Sequence, residues 1–206
     1  MFKRIELKNF RKHERFSVSC RERNILVGPN NAGKSSILDA LRLFADVQRF
    51  ASRRVPIQKS YDNYGVCATY DATNSIFSVT LENICRNYSE DYAEIIVANE
   101  VGNKLHININ PERPPEVFIE TELKILKNKN FFSKCFPERV VVVPTLSQFE
   151  ESEKPNESDY VRSIEYTRLA ARNFRNIWRN KNEHEFSNFR ELVCSHWQDI
   201  DIHPLS

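Results

Sequence analysis

The sequence has few glycines, no closely spaced cysteine pair and no long apolar run. Its five cysteines are scattered without a CxxC pair, which argues against a disulfide framework and a zinc ribbon. No stretch is apolar for long enough to span a bilayer, and charges interrupt the start, where a signal peptide needs a continuous apolar segment. The chain has 30 Lys and Arg and 28 Asp and Glu, so its net charge of +2 does not by itself indicate nucleic-acid or membrane binding. We therefore expect a soluble, cytoplasmic protein with reduced and mostly buried thiols.

Two of the four glycines stand in one short segment, Gly28 to Ser35, which reads GPNNAGKS. This GxxxxGKS spacing is that of a phosphate-binding loop, whose backbone N–H groups surround an anion while the next helix points the positive end of its dipole at the same charge. An apolar strand is predicted over Asn24–Val27 before the loop, and an amphipathic helix from Ser35 to about Phe50 after it. This context is the one that the motif requires, and it predicts a nucleoside triphosphate as the ligand.

The rest of the chain predicts further short strands, so the expected fold class is α/β. Alternating apolar residues around Ile5 and Val18 predict two antiparallel strands before the loop. Short alternating runs from Val66 to Ile109 predict an antiparallel meander, with one of its strands over Ile76–Leu81 and with Pro114 and Pro115 interrupting the chain after it. The β-branched run Val140–Val143 predicts a central strand.

The C-terminal part predicts two amphipathic helices separated near Asn180–Asn182. Basic residues recur every three or four positions in the first of them and would form a stripe that suits DNA phosphates. A solvated or protein-facing helix is the alternative, because Phe174 and Trp178 are spaced to pack inward. The stripe consists of Arg168, Arg172, Arg175, Arg179 and Lys181. The predicted domains are a core with a β-rich lobe at 1–144, an acidic loop with solvated charges at 145–159, and a helical segment at 160–206.

Two neighbouring motifs resemble the start of a known group of proteins. Residues 5–13 read IELKNFRKH, and residues 24–41 read NILVGPNNAGKSSILDAL. Together they resemble the opening of the RecF, SMC and OLD group of ABC-type ATPases, in which a strand, an NFR-like turn and a second strand precede a GxNxxGKS loop. Residues 168–176, followed by 186–189, look most like OLD-type ATPases, many of which work with a nuclease in phage defence or DNA processing.

The resemblance implies a site for ATP and Mg²⁺. Lys34 would bridge the β and γ phosphates in a catalytic role, and Ser35 would give its hydroxyl to magnesium. Arg11 and Lys12 match the turn that returns to the nucleotide, and Gln148 stands where such heads often carry a glutamine that senses magnesium. The implied nucleotide-binding residues are Arg11, Lys12, Asn30, Asn31, Ala32, Gly33, Lys34, Ser35, Ser36 and Gln148.

The acids that such an ATPase needs for hydrolysis are not found in this sequence. A Walker B motif is an apolar strand ending in Asp-Glu, whereas the run Val140–Val143 continues into Pro144. An LSGG-like signature, which closes the partner's site across a dimer, is not found either. We therefore expect the N-terminal part of a longer ATPase, the alternative being a compact protein that borrows its catalytic acids. Under either interpretation, this chain alone should bind ATP better than it hydrolyses ATP.

Three functions fit these observations. The first is the ATP-binding part of an OLD-like or SMC-like ATPase, which forms homodimers or larger oligomers through its heads and controls an effector such as a nuclease, with possible DNA contact through Arg172, Arg175 and Arg179. The second is a nucleotide-dependent sensor or interaction module without its own hydrolysis. The third is a small-molecule P-loop kinase. The predicted meander argues against the kinase, because such kinases place helices and a lid after the loop.

Overall fold

The computed structural model describes residues 1–81, 83–143, 153–165, 169–197 and 200–203. The chain divides into two compact units, Met1–Val141 and Val142–Ser206. Gln148 and much of the predicted acidic loop at 145–159 lie outside the described residues, and Ser158 already begins a helix. None of the helices in the described ranges is long and apolar enough to traverse a bilayer.

The first unit is built on one seven-stranded sheet in which every neighbouring pair of strands is antiparallel. The strand order is β2-β1-β5-β6-β7-β4-β3. The predicted opening hairpin is confirmed, and β1 joins it to the rest of the sheet by pairing with β5. The strands are β1 (Phe2–Phe10), β2 (His13–Ser19), β3 (Ile57–Tyr61), β4 (Gly65–Asp71), β5 (Ala93–Asn99), β6 (Lys104–Asn110) and β7 (Arg113–Glu120).

Helices α1 (Lys34–Ala51) and α2 (Phe131–Cys135) share one apolar core with alternate residues of the strands. Successive strand residues point to opposite faces, so β1, β4, β5, β6 and β7 contribute alternate side chains to this core. The ring of Phe44 lies 4.9 Å from that of Phe2 and 5.7 Å from that of Phe136, both edge to face. Burial of such a side chain stabilises the fold by about 1.5–3 kcal/mol. The predicted helix after the phosphate loop is thereby confirmed and held against the sheet.

Three predicted strands are wrong. Asn24–Val27 and Val140–Val143 have no strand structure, and Ile25 and Val27 are each 88% exposed. In the described residues no backbone hydrogen bond joins Ile25–Val27 to another segment. Ile76–Leu81 also lacks a strand, since a short 3-10 turn, Asn74–Ile76, leads into irregular chain. Apolar and β-branched residues favour a strand only where a neighbouring strand supplies the hydrogen bonds, and none does so here within the part of the chain described.

Two further differences concern the far half of the sheet. Pro114 and Pro115, predicted to interrupt the chain, lie inside β7. They fall where the pairing of β6 with β7 shifts register, between Asn108 and Asn110, so a missing N–H is tolerated there. Strand β3 was not predicted, because most of its residues are exposed and it pairs on one side only, with β4.

The second unit contains α3 (Ser158–Ile164), a 3-10 turn (Ala170–Asn173), α4 (Phe174–Arg179) and α5 (Glu183–His196). The predicted break near Asn180–Asn182 is confirmed, since Asn182 and Glu185 form a capping box at the start of α5. The inward packing predicted for Trp178 is also found, because its ring stacks on that of Phe189 at 4.3 Å.

The basic stripe of the second unit is less regular than predicted. Instead of following one helix, Arg172 lies in the 3-10 turn, Arg175 and Arg179 lie in α4, and Lys181 follows α4. Arg172 and Arg179 are exposed, whereas Lys181 pairs with Glu165 at 2.6 Å. Arg168 lies outside the described residues.

Glu153, predicted to be solvated, instead binds the start of α4. Its carboxylate accepts hydrogen bonds from the backbone N–H groups of Arg175 and Asn176 at 2.9 and 2.7 Å. A carboxylate is favourable at this end of a helix, where N–H groups lack partners within the helix.

The sheet face opposite the apolar core buries a histidine between two carboxylates. His106 is 1% exposed, its Nε2 lies 3.3 Å from Glu120, and its ring stacks on Phe118. His106, whose Nδ1 lies 3.7 Å from the Glu94 carboxylate, lowers the pKa of Glu94, whereas burial raises it and the contact with Lys8 lowers it further. Burial by itself would raise the pKa of Glu120, but hydrogen bonds from Lys104 and His106 lower it.

Acid should weaken the first unit through these carboxylates. A carboxyl group whose pKa is lowered by folding stabilises the protein above its ordinary pKa of 4.5, and that stability is lost as the pH falls through the folded-state value. Urea titrations should therefore show a falling free energy of unfolding below about pH 5, with a shallower fall in Glu94→Gln. At pH 7 this variant should be less stable by about 1–3 kcal/mol, because a charged hydrogen-bond partner is lost.

Glu116→Gln is the matched control, since Glu116 pairs with Lys59 at a partly exposed position. Its stability should change by less than about 0.5 kcal/mol. Identical pH profiles for the wild type and Glu94→Gln would contradict the assignment.

Candidate functional site

Part of the loop Gly28–Ser35 and the first turn of α1 line a cavity of about 500 Å³. This volume falls within the range of about 300–1,000 Å³ that is typical of small-molecule sites. Ala32 lies in the loop without lining the cavity, and Gln148 is outside the described residues. The other eight implied site residues all line it: Arg11, Lys12, Asn30, Asn31, Gly33, Lys34, Ser35 and Ser36.

The start of α1 is open to an anion. Gly33 is the N-cap residue and offers no side chain to the first turn, in which residues 34–37 include no acid. The first N–H groups of a helix have no partner within the helix, and the helix dipole gives them a partial positive charge. Because Lys34 and Ser35 line the cavity, this end of the helix favours a phosphate group there.

Gly33 is required where the loop meets β2. Its φ of 87° lies in the left-handed region, and a Cβ atom would stand 2.5 Å from Nε2 of His13. The same His13 nitrogen lies 3.3 Å from the carbonyl oxygen of Gly33, within hydrogen-bonding distance. His13 therefore supports the loop from β2, a role that its chemistry alone did not reveal, although it belongs to the motif at residues 5–13.

Two lysines cross the loop. The Lys34 ammonium donates to the carbonyl oxygens of Gly28 and Pro29, both at 2.6 Å. The Lys12 ammonium donates to the carbonyl oxygen of Asn31 at 3.4 Å. An ammonium has three donors, so each lysine retains at least one N–H for a ligand, and both bring positive charge to the cavity.

Arg11 is tied to the same helix by a buried carboxylate. Its guanidinium lies 3.2 Å from Asp39 of α1, whose other oxygen lies 2.7 Å from Arg42. Asp39 is only 4% exposed, so its charge is compensated by these two guanidinium groups and repels a phosphate less. The backbone N–H of Arg11 also donates to the carbonyl of Ile84 at 2.7 Å. The turn between β1 and β2 is thus fixed relative to α1.

Residues with a positive φ angle, a strained conformation for residues other than glycine, concentrate around this cavity. A positive φ costs on the order of 1–3 kcal/mol in a non-glycine residue, and such residues cluster at functional sites. Among the described residues six non-glycine positions have a positive φ, and five of them line the cavity. These five are Arg11, Asn31, Asn83, Asn87 and Tyr88, and the sixth is Asn9. The structure therefore adds the segment Asn83–Tyr88 to the site, although no motif in the sequence indicated it.

The cavity suits a polyphosphate better than a metal ion held by protein ligands. Its lining in the described part of the chain includes three cationic side chains and no carboxylate. Across the described ranges no group of three or more His, Cys, Asp and Glu side chains could hold a metal ion. Ser35 lines the cavity and could give its hydroxyl to Mg²⁺, which would then take its other oxygen ligands from phosphates and water.

A family model described as an AAA ATPase domain matches residues 1–195 of this chain. No curated protein matches the chain. The family match confirms the prediction of a P-loop ATPase domain. The narrower resemblance to OLD-type ATPases stays a prediction.

The Asp39 ion pairs should stabilise the site and can be tested by substitution. Asp39→Asn removes a buried charge that two arginines share, so we expect the free energy of unfolding in urea to fall by about 1–3 kcal/mol. Asp62→Asn, in the exposed turn between β3 and β4, should change stability by less than about 0.5 kcal/mol. If both variants were equally stable, Asp39 would have no special part in holding the turn.

Proposed function

We propose a nucleoside-triphosphate-binding function for this chain, which belongs to the AAA ATPase domain family. The observation that carries the proposal is the phosphate loop at the open start of α1, together with the cationic lining from Arg11, Lys12 and Lys34. Backbone N–H groups and fixed cations at one cavity are what a triphosphate requires. The family match supports nucleotide binding independently of this geometry.

The ligand that we propose is ATP with Mg²⁺. Lys34 acts on the β and γ phosphates as a point charge, Ser35 supplies a hydroxyl to magnesium, and Asn30, Asn31 and Ser36 surround the phosphates. Arg11, held by Asp39, adds charge from the side of the β1–β2 turn. The cavity lining within the described residues offers no carboxylate to polarise an attacking water, so hydrolysis would need acids from another segment or chain.

In the wider setting we propose an OLD-like or SMC-like ATPase of the cytoplasm that dimerises through its heads on ATP and controls an effector such as a nuclease. The NFR-like turn supports this proposal, since it brings Arg11 to the cavity as the resemblance implies. A nucleotide-dependent sensor without its own hydrolysis is the alternative. A partner that restores ordinary ATP turnover would favour the first function over the second.

Lys34→Ala should weaken ATP binding at least tenfold, about 1.4 kcal/mol, because it removes a cation from the cavity. Isothermal titration calorimetry measures this affinity, with circular dichroism to confirm that the variant is folded. Lys124→Ala, an exposed residue that does not line the cavity, is the control and should bind ATP normally. Equal affinity in the wild type and Lys34→Ala would contradict the proposal. Turnover of ATP at an ordinary enzyme rate by the purified chain would contradict the expected lack of hydrolysis.

A second proposed contact is with DNA, through Arg172, Arg175 and Arg179. The exposure of Arg172 and Arg179 supports it. Arg175 is half-buried and its N–H binds Glu153, so its replacement would also disturb α4. A sharper test therefore leaves Arg175 unchanged.

The double variant Arg172→Glu with Arg179→Glu should weaken DNA binding and reduce the slope of log K against log salt by about two, because two phosphate contacts are lost. Fluorescence anisotropy over a salt series, with ATP present, measures both quantities. Lys127→Glu with Lys129→Glu makes the same change of charge on an exposed loop of the first unit and is the control. If both double variants bound DNA alike, the contact would lie elsewhere.

A further inference from the structure

We infer that Tyr88 is a platform on which the nucleobase stacks, so that the site recognises a nucleoside and not a polyphosphate alone. This inference rests on the proposed function. It starts from three observations on one residue: Tyr88 lines the cavity, it is 82% exposed, and its φ is 56°.

The conformation of Tyr88 is not explained by packing within the protein. A positive φ is uncommon for any residue except glycine and is a genuine outlier for a bulky one. In the described residues no aromatic ring or cation stacks on Tyr88. The protein therefore holds a strained backbone in order to place an exposed ring beside the phosphate loop. Strain of this kind is retained where the surrounding structure enforces it, and it is found at ligand sites.

The residues that precede Tyr88 are held in place by contacts with the rest of the first unit. Ile84 and Cys85 are buried and pair with the β1–β2 turn, through the hydrogen bond from Arg11 and a backbone bridge between Cys85 and Phe10. Arg86 then pairs with Glu14 of β2 at 3.2 Å. These contacts attach the segment to the same turn that carries Arg11 to the cavity.

The residues that follow Tyr88 are also held by hydrogen bonds. The N–H of Ser89 donates to the carbonyl of Arg86 at 3.1 Å, which closes a tight turn around Asn87 and Tyr88. The Asn110 side chain donates to the carbonyl of Glu90 at 2.6 Å and ties the next residues to β6. Asn87, like Tyr88, has a positive φ. The ring is therefore carried by a turn whose backbone is hydrogen-bonded on both sides.

The segment Asn83–Tyr88 forms a second wall of the cavity, and its chemistry complements that of the phosphate loop. The loop and its cations supply charge for phosphates, whereas the wall supplies an aromatic ring from Tyr88 and side-chain amides from Asn83 and Asn87. Amides both donate and accept hydrogen bonds and suit the polar edge of a base or the hydroxyls of a ribose. Every base has a π face, and stacking on an aromatic ring strengthens binding by about 5- to 150-fold. A cavity with both walls fits a whole nucleoside triphosphate.

The test compares ATP with inorganic tripolyphosphate, which has the phosphates but no base. Calorimetry on the full chain should show that Tyr88→Ala weakens ATP binding by fivefold or more and leaves tripolyphosphate binding unchanged. Tyr88→Phe should keep the affinity for ATP, because it keeps the ring. Tyr160→Ala, a half-exposed tyrosine of the second unit, is the control and should change neither affinity.

A glycine at this position separates function from stability. Tyr88→Gly removes the strain of a positive φ, so its thermal midpoint should rise while its ATP affinity falls. A variant that was both less stable and weaker for ATP would point to a structural role and would overturn the inference.

Failure of the inference can be distinguished from failure of the proposed function. If the wild type binds tripolyphosphate as tightly as ATP, and Tyr88→Ala changes neither, the base platform is wrong while the phosphate site stands. If the wild type binds neither ligand, or if Lys34→Ala leaves both affinities unchanged, the proposed function is itself wrong and the inference fails with it.

Discussion

The attachment of the β1–β2 turn to α1 is the constraint on which the site depends. It is made by a buried carboxylate, Asp39, that binds Arg11 of the turn, and by His13, which contacts Gly33 of the loop. The Arg11–Asp39 contact holds the turn against the side of α1, and the His13–Gly33 contact holds β2 against the start of α1. Because β1 lies inside the sheet between β2 and β5, the phosphate loop is positioned by a turn that follows a strand paired on both sides.

The same turn also positions the segment Asn83–Tyr88. Its backbone pairs with that of Ile84 and Cys85, whose side chains are buried in the core, so the strained residues Asn87 and Tyr88 line the same cavity as the loop. Positive charge from Arg11, Lys12 and Lys34 then accumulates in a cavity whose described lining has no carboxylate. Asp39 contributes little negative charge to the cavity, since two guanidinium groups compensate it. Preorganised charge and a rigid backbone are what an anionic ligand needs.

Sequence patterns predicted the parts of the fold in which apolar residues recur regularly, including the strands β4, β5 and β6 of the meander predicted over Val66–Ile109. The helix after the loop, the opening hairpin and the capped break before Glu183 were all found. The strands predicted over Asn24–Val27 and Val140–Val143 were wrong, because a strand depends on a neighbour that the residues themselves do not specify. For the same reason the edge strand β3 was missed, and Pro114 and Pro115 were misread, since a register shift in the pairing accommodates them.

For the site, the sequence by itself determined the loop and its Lys34, because the GxxxxGKS spacing acts over eight neighbouring residues and the start of one helix, whereas Arg11 and Lys12 were implied by the family resemblance of residues 5–13. Only the tertiary structure decided that Asn83, Asn87 and Tyr88 face that loop and that Asp39 holds Arg11. These contacts join residues far apart in the chain, through backbone pairing and burial, and such contacts leave no periodic pattern in the residues that make them.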